Sequence, residues 1–146
     1  MRAGRRSRQP TVVVLDTAPV LAALFQNEGP AARLRHAWQA GQVAPLLSAA
    51  TAQELLAALA FRRFKLSAAE REELLGDLLP FARVVQVEPG TGRSANAQLQ
   101  LAGAGQADWL VSDDGLLRKE AQKQGLASST LDAFVSLFSS GISRFP

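Results

Sequence analysis

The most constraining feature of the sequence is a series of short apolar runs, separated by segments with helical spacing of their apolar residues. TVVVLD (residues 11–16), VAPLLS (43–48) and ADWLVS (107–112) are mainly apolar and end in a polar or acidic residue. Short runs that are apolar on both faces are typical of strands buried in a parallel sheet. ARVVQVEP (82–89) predicts a further strand, and LASST (126–130) predicts a short fifth one.

Helical periodicity fills the intervals between these strands. The predicted helices cover residues 17–29, 30–41, 49–64, 67–81, 94–106, 114–125 and 131–138. Ser67 and Glu70 have the spacing of a capping box at the start of one of them. Regular alternation of strands and helices predicts an α/β fold, a three-layer α/β/α sandwich around a mainly parallel sheet of four to five strands.

The domain organisation follows from length and charge. The chain has 146 residues, which suits one domain, and we place that domain at residues 11–140. Residues 1–10 predict a basic, flexible arm that either contacts nucleic-acid phosphate or is simply solvated, and residues 141–146 predict a C-terminal tail. The arm's cations are Arg2, Arg5, Arg6 and Arg8.

Two absences in the sequence narrow the function further. No apolar run approaches the roughly 20 residues that span a bilayer, and no apolar segment follows the basic start as in a secretory signal, so we expect a cytoplasmic protein without a membrane partner. The chain has no cysteine, which excludes disulfides and thiolate metal ligands.

Acidic residues follow the predicted strands at the ends where sites form in open parallel sheets. Asp16 ends the first strand, Asp113 and Asp114 follow the strand at residues 107–112, and Glu54 lies in the helix after the second strand. Carboxylates that converge repel one another unless a cation lies between them. Oxygen ligands suit Mg²⁺ or Mn²⁺, which can activate water and stabilise charge on a phosphate.

Each acid also has a purely structural interpretation. Asp16 and Asp114 stand at helix N-cap positions, and Glu54 could be a solvated helix carboxylate. Other catalytic machinery is missing, because there is no Walker-type phosphate loop and the single histidine, His36, falls in a predicted helix away from the strand ends. We interpret Asp108 as a strand-start residue at the opposite edge.

Basic and aromatic residues outside this acidic set have simple structural explanations. Arg93, Arg118 and Lys119 could border a phosphate track, although a charged surface face is the simpler interpretation. Trp38 and Trp109 are predicted to be packing residues rather than platforms for base stacking.

Three blocks of the sequence resemble the PIN-domain family, particularly the VapC-like toxin components of bacterial toxin–antitoxin systems. They are VVVLDTAPVLAALF (12–25), PLLSAATAQELLAAL (45–59) and ADWLVSDDGLL (107–117), within a resemblance that covers residues 11–138. It implies a Mg²⁺- or Mn²⁺-dependent ribonuclease with metal ligands at Asp16, Glu54 and one of Asp113 and Asp114, with the spacing favouring Asp114. Ser112 matches the family's hydroxyl position. RNA, a small antitoxin and a second copy of the chain are the implied partners.

Asn96 is the main departure from the family pattern. It stands where the helix before the fourth strand normally begins with an acidic ligand, and no acid lies between Glu88 and Asp108. An amide oxygen could still ligate, and Asp113 could replace part of the charge, but metal affinity should fall. The alternatives are therefore a ribonuclease with an altered site, a weakened or inactive PIN-like module that binds RNA or protein, and a phosphatase-like hydrolase using the same acids.

Overall fold

The structure, a computed structural model, describes residues 9–88 and 96–139. The strands are β1 (Thr11–Leu15), β2 (Val43–Leu47), β3 (Arg83–Val84), β4 (Trp109–Val111) and β5 (Ala127–Ser129). The α-helices are α1 (Thr17–Phe25), α2 (Pro30–Gln39), α3 (Ala49–Leu59), α4 (Ala68–Gly76), α5 (Ala97–Gly105), α6 (Gly115–Lys123) and α7 (Leu131–Ser139). Short 3₁₀ helices occupy Arg62–Phe64 and Leu79–Phe81.

The five strands form one sheet in the order β3-β2-β1-β4-β5, and every neighbouring pair is parallel. Parallel neighbours require crossover connections, which the intervening helices supply. The predicted α/β/α sandwich with its mainly parallel sheet is therefore confirmed. The predicted arm lies outside the described residues except for its last two positions, and the tail at residues 141–146 lies outside them entirely.

Two hydrophobic cores cover the two faces of the sheet. Because successive strand residues point to opposite faces, Val13 and Leu15 enter one core while Val14 enters the other. The first core takes in residues of α1, α2, α3 and α7, and the second takes in residues of α5 and α6. None of the helices in the described ranges is long and apolar enough to cross a membrane.

Polar caps explain where several helices begin. Ser48 and Thr51 form a capping box at α3, and the predicted box of Ser67 and Glu70 is confirmed at α4. In the second box, the hydrogen bond from the Ser67 backbone N–H lowers the pKa of the Glu70 carboxyl below its ordinary value. His36 is exposed, as expected of a surface histidine.

Several predicted elements are shorter in the structure, most clearly the third helix and the third strand. The helix predicted to run through residue 64 ends at Leu59, because Phe61 is extended and Lys65 takes the left-handed conformation at φ 53°. The turn at Phe61–Lys65 lets Phe64 pack on Phe25, with ring centroids 5.0 Å apart. This tertiary contact overrides the helix propensity of the segment. The third strand contains only Arg83 and Val84.

Leu101 tests the importance of the second core. Its side chain is fully buried in α5, whereas Leu116 in α6 is 78% exposed. Leu101→Ala should lower the free energy of unfolding by about 2–5 kcal/mol, since it leaves a cavity. Leu116→Ala, the matched control, should change it by no more than about 0.5 kcal/mol. Urea unfolding measures both values, and equal losses would contradict this arrangement of the core.

Candidate functional site

The strand order places a crevice between β1 and β4. From β1 the chain proceeds through β2 to β3 on one side, and β4 and β5 lie on the other. The helix after β1 therefore packs on one face of the sheet and the helix after β4 packs on the opposite face. In such sheets ligands bind where the strand order reverses, beyond the carboxyl ends of the strands. Asp16 and Ser112 both lie at this point.

A hydrogen-bonded network joins the ends of β1 and β4. The Ser112 hydroxyl, which is fully buried, donates to Asp16 Oδ2 at 2.7 Å and accepts the Asp114 backbone N–H at 3.0 Å. The Asp16 backbone N–H donates to the Val111 carbonyl at 2.9 Å, and Asp16 Oδ1 accepts the Thr17 N–H at 3.0 Å. The predicted residues Asp16, Ser112 and Asp114 are thus brought together.

The adjacent aspartates have different environments. Asp114 is the N-cap of α6, and its Oδ1 accepts backbone N–H groups from Leu116 at 2.9 Å and Leu117 at 3.4 Å. This confirms its capping role, and one Asp114 oxygen is sufficient for both of these contacts. Both aspartates are exposed, but Asp113 does not participate in the Ser112 network. Of the pair, Asp114 is the one tied to Asp16 through Ser112.

Glu54 has a neighbour that the sequence analysis missed. Gln98 is 5% exposed, and its Nε2 donates to Glu54 Oε1 at 3.0 Å. The available signal was spacing, because Gln98 lies three and four residues before Leu101 and Ala102 on the buried face of α5. The buried amide of Gln98 binds one oxygen of the Glu54 carboxylate, although Glu54 itself is exposed. This hydrogen bond orients Glu54 toward α5.

Asn96 keeps the capping function of an aspartate without its charge. Its Oδ1 accepts the backbone N–H groups of Gln98 at 2.8 Å and Leu99 at 3.2 Å, at the start of α5. Both contacts require an acceptor, which assigns the amide orientation. The remaining polar atom of the Asn96 amide is a donor and cannot ligate a cation. Asn96 therefore offers a metal ion fewer oxygen ligands and less negative charge than the aspartate expected there.

The donor set agrees in chemistry with a hard divalent cation. Asp16, Glu54 and Asp114 supply carboxylate oxygens, and Ser112 supplies a hydroxyl, which suit Mg²⁺ or Mn²⁺. Within residues 9–88 and 96–139, however, no three Asp, Glu, His or Cys side chains form a group that could hold a metal ion. The residue types therefore suit a divalent cation, but Asn96 replaces one of the carboxylates that the resemblance implies.

Two cations lie next to the sheet edge that carries Asp16, Ser112 and Asp114, which we call the acidic edge. A cleft of about 530 Å³ is lined by Asp114, Arg118 and Lys119, among others, and Arg118 Nη1 donates to the Ser112 carbonyl at 2.9 Å. Arg93, the third residue of the predicted phosphate track, lies outside the described residues. Asp108 lies at the opposite edge, where Oδ2 accepts the Val12 N–H at 2.9 Å, as expected of a strand-start residue.

Comparison with known families agrees with this geometry. Residues 12–115, more than half of the chain, match the family described as PIN domain. The chain belongs to the PIN-domain family. The match spans Asp16, Glu54, Asn96, Ser112 and Asp114. PIN domains have a nuclease-type fold and typically depend on a divalent metal. A search of curated proteins finds no match to this chain.

Removing the Ser112 hydroxyl tests the network. Ser112→Ala removes a buried hydroxyl that binds the part-buried Asp16 Oδ2 and Asp114 N–H, and hydrogen bonds to charged groups are the stronger ones, so the free energy of unfolding should fall by about 1–3 kcal/mol. Ser128→Ala is the control, because its half-buried hydroxyl makes only long contacts of 3.3 and 3.4 Å, and the loss should stay below about 1 kcal/mol. Equal losses in urea unfolding would show that the Ser112 network does not stabilise the strand ends.

Proposed function

We propose that this PIN domain is a Mg²⁺- or Mn²⁺-dependent ribonuclease, of the toxin type, whose acidic site is partly altered. The observation that carries the proposal is the Asp16–Ser112–Asp114 network at the reversal of strand order. A buried hydroxyl that binds one acid and fixes the backbone of another is typical of a preorganised site. Helix capping alone does not need this connection, because Asp16 and Asp114 each cap through Oδ1.

Different residues would have different roles in phosphodiester hydrolysis. Asp16, Glu54 and Asp114 would hold the cation, which when bound supplies charge stabilisation on the phosphate and a more acidic water. Ser112 donates to Asp16 Oδ2, and Gln98 donates to Glu54 Oε1, so each carboxylate is oriented by a hydrogen bond. Arg118 and Lys119 would contact phosphates flanking the scissile bond.

The toxin-type resemblance also supports a set of partners. It suggests a small antitoxin protein, a homodimer and a cytoplasmic setting, and these remain parts of the proposal. The blocks at residues 12–25, 45–59 and 107–117 carry that resemblance.

A second function is favoured by Asn96. With Asn96 Oδ1 taken up by the cap of α5, the domain could be a weakened or inactive PIN module that binds RNA or a protein. The two functions differ in metal dependence, because only the nuclease needs a bound cation. No observation favours the phosphatase-like hydrolase over either of them.

Cleavage of a labelled RNA in Mn²⁺ is the direct test. Asp16→Asn and Asp114→Asn should each lower the rate by about 100-fold or more, since even substitutions beyond the direct ligands of metal sites cost 10- to 100-fold. Asp113→Asn, the neighbouring control, should retain most activity because Asp113, although as exposed as Asp114, lies outside the Ser112 network. Cleavage that persists in EDTA, or that survives Asp16→Asn, would refute the nuclease proposal.

Asn96→Asp tests whether the missing carboxylate limits metal binding. The variant should keep its helix cap and bind Mn²⁺ roughly 10-fold or more tightly, by the same scale of ligand-environment effects. A thermal-melt titration reports this as a larger metal-dependent rise in Tm than in the wild type. Gln124→Glu adds the same charge at an exposed C-cap and should not change the titration. A wild-type Tm that millimolar Mn²⁺ does not raise would favour the binding module.

A further inference from the structure

An exposed group of aromatic and basic side chains lies away from the acidic edge. Phe64 packs between two other rings, at 5.0 Å from Phe25 and 6.0 Å from Phe61 by ring centroids. Phe61 is 55% exposed and Phe25 is 37% exposed, although both are large apolar side chains. The guanidinium of Arg63 lies over the Phe61 ring at 5.8 Å. The aromatic–basic patch consists of Phe25, Phe61, Arg62, Arg63, Phe64 and Lys65.

The charge of this patch has one sign. Arg62, Arg63 and Lys65 are all exposed. No acidic residue occurs in the chain between Glu54 and Glu70, so their positive charge is not offset locally in sequence. The nearest acid after Phe25 is Glu28, which follows the end of α1. A polyanion would therefore meet three exposed cations and the exposed rings of Phe25 and Phe61.

The patch is separate from the acidic edge. Helices α1 and α3 begin just after the carboxyl ends of β1 and β2, at Thr17 and Ala49. They run away from that edge for nine and eleven residues, which corresponds to lengths of about 13 and 16 Å. The patch is built where both helices have ended. A ligand bound there would not occupy the acidic site itself.

We propose that the aromatic–basic patch binds a single-stranded polynucleotide. Exposed rings accept unpaired bases by stacking, and neighbouring cations contact the phosphates, which is how proteins bind single strands without reading their sequence. A protein is the competing occupant, because aromatic and arginine side chains are also enriched at protein interfaces. The polynucleotide is favoured by charge, since three of the five residues 61–65 are cations and no acid lies between Glu54 and Glu70. The patch provides a second holding point, and it requires neither a metal nor cleavage.

Replacing Phe61 with leucine tests whether its aromatic ring stacks on bases, because leucine keeps most of the apolar volume. Fluorescence anisotropy in EDTA follows binding of labelled oligouridylate and oligodeoxythymidylate to the full chain, and the two probes distinguish RNA from DNA. Phe61→Leu should weaken binding by about 5- to 100-fold, because leucine has no π face for a base. Thermal melts establish that the variant is folded, as expected for a residue that is 55% exposed.

The charges are tested by the salt dependence of binding. Replacing the patch cations by glutamine should reduce the slope of log K against log salt by about 2, at roughly 0.7 per phosphate contact on a single strand. The patch variant carries Arg62→Gln, Arg63→Gln and Lys65→Gln. The control variant carries Arg33→Gln, Arg83→Gln and Lys123→Gln, three exposed cations elsewhere, and should keep the wild-type slope.

The outcomes separate this proposal from the nuclease proposal. Affinity that depends on Phe61 and on the three patch cations supports the patch, whether or not the protein cleaves RNA. Wild-type affinity in both patch variants, absence of oligonucleotide binding at low salt, or an equal loss in the control variant would each overturn it. The first of these results would leave a protein as the occupant.

Discussion

The site depends on the contact between two strand ends that are adjacent in space and 96 residues apart in sequence, Asp16 and Ser112. The 2.7 Å bond from a fully buried hydroxyl to a carboxylate has the length of a charge-assisted hydrogen bond. It can form because β1 and β4 are parallel neighbours, with Leu15 beside Val111 in the register. The helices that follow these strands pack on opposite faces, so the acids at their starts border one crevice.

The first residues of helices are also the residues of the site. Asp16, Asn96 and Asp114 are all N-caps, where a side-chain oxygen accepts backbone N–H groups and the helix dipole favours negative charge. Asparagine caps a helix about as well as aspartate. The fold therefore tolerates Asn96, since α5 keeps its cap, and only the charge available to a cation is reduced.

Most of the architecture could be predicted from the sequence, because hydrophobic periodicity and caps are local signals. The convergence of Asp16, Ser112 and Asp114 followed from the rule that parallel strands share a carboxyl edge. Gln98 was missed, since a polar residue on a helix is ordinarily assigned to solvent and its burial depends on the contact with Glu54 across α3 and α5. The break after Leu59 was also missed, because it depends on the packing of Phe64 on Phe25 from another part of the chain.

Under the proposed function, Asn96 would affect metal binding and polyanion binding in opposite directions. Carboxylates at the edge of the sheet attract a cation, but they repel the phosphates of an approaching strand until a cation neutralises them. Each carboxylate removed weakens the hold on the cation and also lowers this repulsion. In the proposed patch, the exposed cations Arg62, Arg63 and Lys65 would attract phosphate away from the acids, so Asn96 would not change their contribution. Under the proposed function, Asn96 would thus shift the domain toward holding a polynucleotide, while the Asp16–Ser112–Asp114 network keeps the ends of β1 and β4 together.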